Sequence, residues 1–225
     1  MNLFFVGYGI DAPEQRWNDY KGKPEVYRGK VLVMLVNDPP AINEEPNLFG
    51  GRALTYYGRW TYKFEEAARR GAIGVILIHT TESAGYGWNV VRSSNGGWRF
   101  DVARTSEEKT PFLQMRSWMT EDAARKIFAQ AGKNLDELRE QARSRNFQPV
   151  NLGLKVNVDL KSQLKKLESN NVVGVWEGSD PKLKNEYVIY TAHWDHWAWE
   201  NRTRRATQST MAFSIMLPAW LPCLQ

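Results

Sequence analysis

The chain has 225 residues, room for one large or two small globular units at roughly 150 residues per domain. Its 42% hydrophobic and 24% charged residues exclude a disordered, collagenous or fibrous chain. Thirty Lys and Arg against 25 Asp and Glu leave +5, a small and dispersed excess that argues against nucleic acid or an anionic membrane as partner.

In chain order, Leu3, Phe4, Phe5 and Val6 read as a strand already under way, without the charged start and small-residue cleavage site of a signal peptide. Such an opening leads us to expect a natural N-terminus further upstream. Gly7-Tyr8-Gly9 is too short for a phosphate-binding fingerprint. The apolar, β-branched run 31–36, closed by Asn37-Asp38-Pro39-Pro40, predicts a buried strand that ends in a turn. Gly50 and Gly51 serve a tight turn in the loop that follows.

Between 61 and 70, Phe64, Ala67 and Ala68 fall at helical spacing opposite Glu65, Glu66, Arg69 and Arg70, with Gly71 as the stop. The run 73–78 then predicts a second buried strand, and strand, helix, strand in that order favours parallel pairing through a crossover. His79 ends this strand without an adjacent acid and is assigned a structural role. Residues 84–98 read as an aromatic, glycine-rich loop. Its Tyr86, Trp88 and Trp98, with Tyr56, Tyr57 and Trp60, are expected to pack a small domain rather than form a ligand platform.

Thr120 predicts the cap of a helix with the stripe Ala124, Ile127, Phe128 and Ala131, ended by Gly132. Asn134 and Glu137 predict a capping box for a further helix to about residue 145. Periodicity is lost at 147–150, around Pro149, and a domain boundary is placed there. Beyond it, the alternation at 154–160 and the runs 171–176 and 187–192 predict three strands of a new sheet. The fold class is α/β.

The lone cysteine, Cys223, excludes an intramolecular disulfide and a thiolate-rich metal site, so any metal must be held by His and carboxylates. No apolar run reaches the ~20 residues of a membrane span. One cluster carries chemistry. His193 and Asp195, in Ala192-His193-Trp194-Asp195-His196, sit at the carboxyl end of the last predicted strand, where α/β sheets gather their ligands. Extended geometry puts these two side chains on one face, an arrangement that suits a metal-bound imidazole beside an orienting carboxylate. A hydrogen-bonded polar strand end is the other reading of the same residues.

Residues 187–196 resemble the first metal-binding strand of the M28 zinc peptidases (aminopeptidase Y/leucyl aminopeptidase-like). Asn170 to Gly174 and Glu177 to Asp180 resemble the segment that leads into their central sheet. Gly29-Lys30-Val31 with Val33, and the helix and strand from 64 to 78, are similar to the protease-associated (PA) domain often inserted in these enzymes. The resemblance implies a PA-like, β-rich α/β domain with its following helices over 1–148, then the first part of an M28 α/β sheet over 149–196. It implies a co-catalytic two-zinc aminopeptidase acting on peptides or proteins, with His193 as a zinc ligand and Asp195 as the catalytic carboxylate that orients the site. It also implies a periplasmic or extracellular location.

The family's bridging Asp, its Glu-Glu pair, a further carboxylate and a distant His are not found, so the chain as it stands is expected to be inactive. The alternative function is a non-catalytic PA-type module that binds protein or peptide. Residues 197–225 hold no Gly, no Asp and no His, and a single acid, Glu200. Back-translated and read one base earlier, 197–200 become Leu-Gly-x-Gly, and 211–219 permit Asn-Gly-x-Phe-Asp-Asn-Ala-Ser-Gly. These are the family's continuation and its bridging-Asp segment. The tail is therefore expected to be translated out of frame.

Overall fold

The computed structural model describes residues 1–42, 45–51, 53–97, 99 and 101–192. Contact density divides the chain into a unit Met1–Lys166 and a second unit from Leu167.

In the first unit, strand β1 (Asn2–Phe5) is followed by a small ribbon of β2 (Asp11–Ala12) and β3 (Trp17–Asn18). Then come β4 (Val31–Leu35), α1 (Trp60–Arg69), β5 (Gly74–His79), α2 (Thr81–Ala84) and α3 (Trp88–Asn95). The unit continues with β6 (Met115–Thr120), α4 (Glu121–Gln130), α5 (Leu135–Gln141) and β7 (Val150–Lys155). Five strands form one mixed sheet in the order β6-β5-β4-β1-β7. Its first four strands are parallel, with Leu3 opposite Val31, Val31 opposite Gly74, and Gly74 opposite Met115. β7 joins antiparallel to β1.

Every residue of β4 and β5 is buried, because helices cover both faces of the sheet. On one face, Phe64, Ala67 and Ala68 of α1 pack over Leu32, Met34, Val75 and Leu77. On the other, Ala124 and Phe128 of α4 and Leu135 and Leu138 of α5 cover Phe5, Val33, Ile76 and Ile78. The strand period of two sends alternate side chains to the two helical layers. Thr120 accepts from the Ala123 amide at 3.2 Å and Asn134 from the Asp136 amide at 2.9 Å, so both predicted caps form. Gly132, at φ +65, closes α4: its amide donates to Ala129 and that of Lys133 to Phe128, both at 2.9 Å.

Three sequence expectations need correction. Residues 84–98 contain the helix α3, whose register buries only Val91, too faint a stripe to stand out among its glycine flanks. The strand expected at 154–160 is β7, which begins earlier, at Val150, and pairs antiparallel with β1. The Met1 ammonium donates to the Val156 carbonyl at 3.0 Å, and the Val156 amide to the Met1 carbonyl at 2.9 Å. Runs 171–176 and 187–192 form no ladder, and Val172 and Tyr187 are 92% and 76% exposed. β-branched and aromatic composition fits a pleated surface without supplying the neighbour whose backbone must pair. Among the described residues of the second unit, the local order is a turn in which Asp180 accepts from the Lys182 amide at 2.7 Å.

The mixed α/β class stands. The first compact unit spans Met1–Lys166 and includes β7, which pairs within its sheet.

Candidate binding site

Parallel strands deliver their carboxyl ends to one side of the sheet, and a cavity of about 330 Å³ lies there, beyond β4 and β5. The loop after β4 forms one wall with Asn37, Asp38 and Pro39. Thr80, Glu82 and Ser83 at α2, and Arg139 and Arg143 at the end of α5, form others.

Asn37 organises the loop. It sits at φ +74, a left-handed conformation that Asn tolerates better than bulkier residues. Its amide donates to the Gly58 carbonyl at 3.2 Å, and its side chain donates to the Ser83 carbonyl, joining the β4 loop to α2. The Asn37 carbonyl accepts from Lys63 Nζ at 2.9 Å. The next residue, Asp38, accepts from the Thr55 amide through Oδ2 at 2.7 Å, while Oδ1 is buried without a partner.

Lys63 is fully buried, although it comes from an otherwise amphipathic helix. Asp19 is also buried, and its oxygens accept from the Ile10 amide at 3.0 Å and from Trp17 Nε1 at 2.9 Å. Burial pushes the Asp19 carboxyl up to about 7 and the Lys63 ammonium down to about 7, with each charge partly offsetting the other's desolvation. Burial also pushes Asp38 up, against the hydrogen bonds from Thr55 and the charge of Lys63.

These shifts give stability a definite pH profile. Between the ordinary carboxylate range and pH 7, the folded protein keeps a proton on Asp19 that the unfolded chain has released, so stability falls as pH rises to about 7. From about 7 to the ordinary lysine range, the unfolded chain holds the proton that folded Lys63 has lost, and stability rises again. Urea unfolding at pH 5, 7 and 9 is expected to show a minimum near neutrality. Asp19→Asn flattens the acid limb and Lys63→Met the alkaline one. A wild-type maximum at pH 7 contradicts this account.

No family model matches the chain, and no curated protein or solved structure matches it. Its own residues therefore carry the functional argument.

His193 and Asp195 lie outside the described residues. Among those described, no group of three His, Cys, Asp or Glu side chains is placed to hold a metal ion, and no helix is long and apolar enough to cross a membrane. His79 is buried, and its Nε2–H donates to the Tyr86 carbonyl at 3.0 Å amid the rings of Tyr86, Trp88 and Trp118. It is structural, as its sequence context suggests. Tyr57 packs edge-on against Tyr62 and Phe49, while Tyr56 and Trp60 remain 54% and 42% exposed.

Sequence reasoning missed Lys63, Asp19 and the orphan oxygen of Asp38. A weak signal exists for Lys63, which stands one turn before Ala67 on the buried side of α1. Nothing comparable marks Asp19 or Asp38, whose burial follows from contacts with Ile10, Trp17 and Thr55.

Proposed function

We propose that the chain is a peptide-binding module of PA type joined to the leading segment of an M28-type zinc aminopeptidase, and that it binds peptide without turning it over. The observation that carries the binding part is the cavity at the carboxyl ends of β4 and β5, which stands complete within Met1–Lys166. The peptidase part rests on the resemblance of 187–196 and of the segments ahead of it, which occur in the family's order.

The donor chemistry is partly suited to zinc. His193 would supply an imidazole to the metal, and Asp195 a carboxylate to orient it. A closed zinc shell takes four ligands, and two zinc ions take more than this pair offers. Bound zinc would supply an activated water. No catalytic step is assigned to the chain itself. A location outside the cytoplasm belongs to the same proposal.

Two measurements test it. Zinc is added to the protein with an aminoacyl chromogenic substrate, and short peptides are titrated by calorimetry. Binding without turnover is expected. Turnover well above the blank refutes the inactivity, and failure of every peptide to bind removes the module.

A further inference from the structure

We propose that the run 187–192 pairs as an antiparallel strand with the same run in a second copy of this chain. The inference goes beyond the peptide-binding reading and does not draw on the cavity.

Composition and exposure point to an open strand. Tyr187, Val188, Ile189, Tyr190 and Thr191 are the aromatic and β-branched residues that fit a pleated surface, and the run holds no charge, no Pro and no Gly. A strand sends neighbouring side chains to opposite faces, yet Val188 and Ile189 are 79% and 77% exposed, so neither face is covered. Among the described residues no hydrogen bond reaches the main chain of 187–192, whose amides and carbonyls are left to water. Large apolar side chains beside free main-chain groups make an edge that another strand completes.

The run complements itself. Set antiparallel about Ile189, two copies place Ile189 opposite Ile189, Tyr187 opposite Thr191 and Val188 opposite Tyr190, so an aromatic ring meets a β-branched residue at each flanking position. A parallel, in-register pair would instead stack Lys184 on Lys184 and Glu186 on Glu186, like charge on like. The number of strands also favours a second copy. A two-stranded ribbon is marginal in water, and each chain carries two such runs, 171–176 and 187–192, on either side of a turn in which Asp180 accepts from the Lys182 and Leu183 amides. Two copies bring four strands. The edge strands of the first unit are blunted, β7 by Gly153 at φ +68 and β6 by the exposed ion pair of Arg116 with Asp101.

Sedimentation equilibrium of the full chain over the micromolar range, with far-ultraviolet circular dichroism on the same samples, tests the inference. The mass is expected to rise above the 26.0 kDa of one chain as concentration increases, with a gain of strand signal. Copies that each carry +5 repel, so added salt should strengthen the association. Ile189→Lys sets two like charges directly opposite each other and should weaken it roughly tenfold or more, as should Ile189→Asp. An equimolar mixture of these two variants faces opposite charges and should recover the association. Val102→Lys, at an exposed position of the first unit, adds the same charge and should leave it unchanged. Because 187–192 is exposed, the substitutions at Ile189 spare the core of the first unit. A chain that stays monomeric at every concentration overturns the proposal. So does association that ignores Ile189→Lys, that Val102→Lys weakens equally, that brings no strand signal, or that the mixture fails to restore.

Discussion

Lys63→Ala is expected to cost about 3–5 kcal/mol, measured by urea unfolding at pH 6, where the side chain is charged. Three losses coincide. Removing the ammonium leaves the Asp38 carboxylate without its buried cation, the Asn37 carbonyl loses its donor at 2.9 Å, and loss of the buried aliphatic stem leaves a void. Lys63→Met keeps most of the stem and should fall between alanine and wild type, separating packing from charge. An alanine variant within about 1 kcal/mol of wild type would show that the ammonium is not buried among these groups.

Phe128→Ala is the second large effect, also about 3–5 kcal/mol. Phe128 is fully buried in the last turn of α4 and meets Phe5 of β1 edge-on, with ring centroids 5.2 Å apart. Phe5 in turn meets Phe147 at 5.7 Å, so the three rings tie α4 and the segment after α5 to β1. Edge-to-face pairs contribute about 0.5–1.5 kcal/mol beyond area burial, and a double-mutant cycle of Phe5→Leu with Phe128→Leu should return a coupling in that range. Additivity of the two substitutions would place the rings out of contact.

The elements that sequence foretold are those whose burial is built from neighbouring residues. Val31 to Val36 and Ile73 to Ile78 are apolar throughout because both faces of β4 and β5 are covered, and Thr120, Asn134 and Gly132 mark helix ends by local hydrogen bonds. β7 was displaced because its register is set by pairing with β1, a partner some 150 positions away. The runs 171–176 and 187–192 carry strand chemistry without a paired neighbour among the described residues, and local pattern cannot report that difference.

The site divides in the same way. The turn Asn37-Asp38-Pro39-Pro40 was legible as a turn. Its left-handed Asn37, the carbonyl aimed at Lys63 and the orphan oxygen of Asp38 all arise from contacts with α1, α2 and the 55–58 turn. His193 and Asp195 are the reverse case, where spacing and resemblance speak and the described residues stop short.

The paired hydrogen bonds between Met1 and Val156 bring the start of β1 and the end of β7 side by side. A unit tethered in that way can be excised or transplanted as a cassette, since a host chain need open a gap no wider than two adjacent strands, roughly 5 Å, to receive it. Joining those two points with a short turn and cutting at an exposed loop would give a circularly permuted version that keeps the order of strands across the sheet.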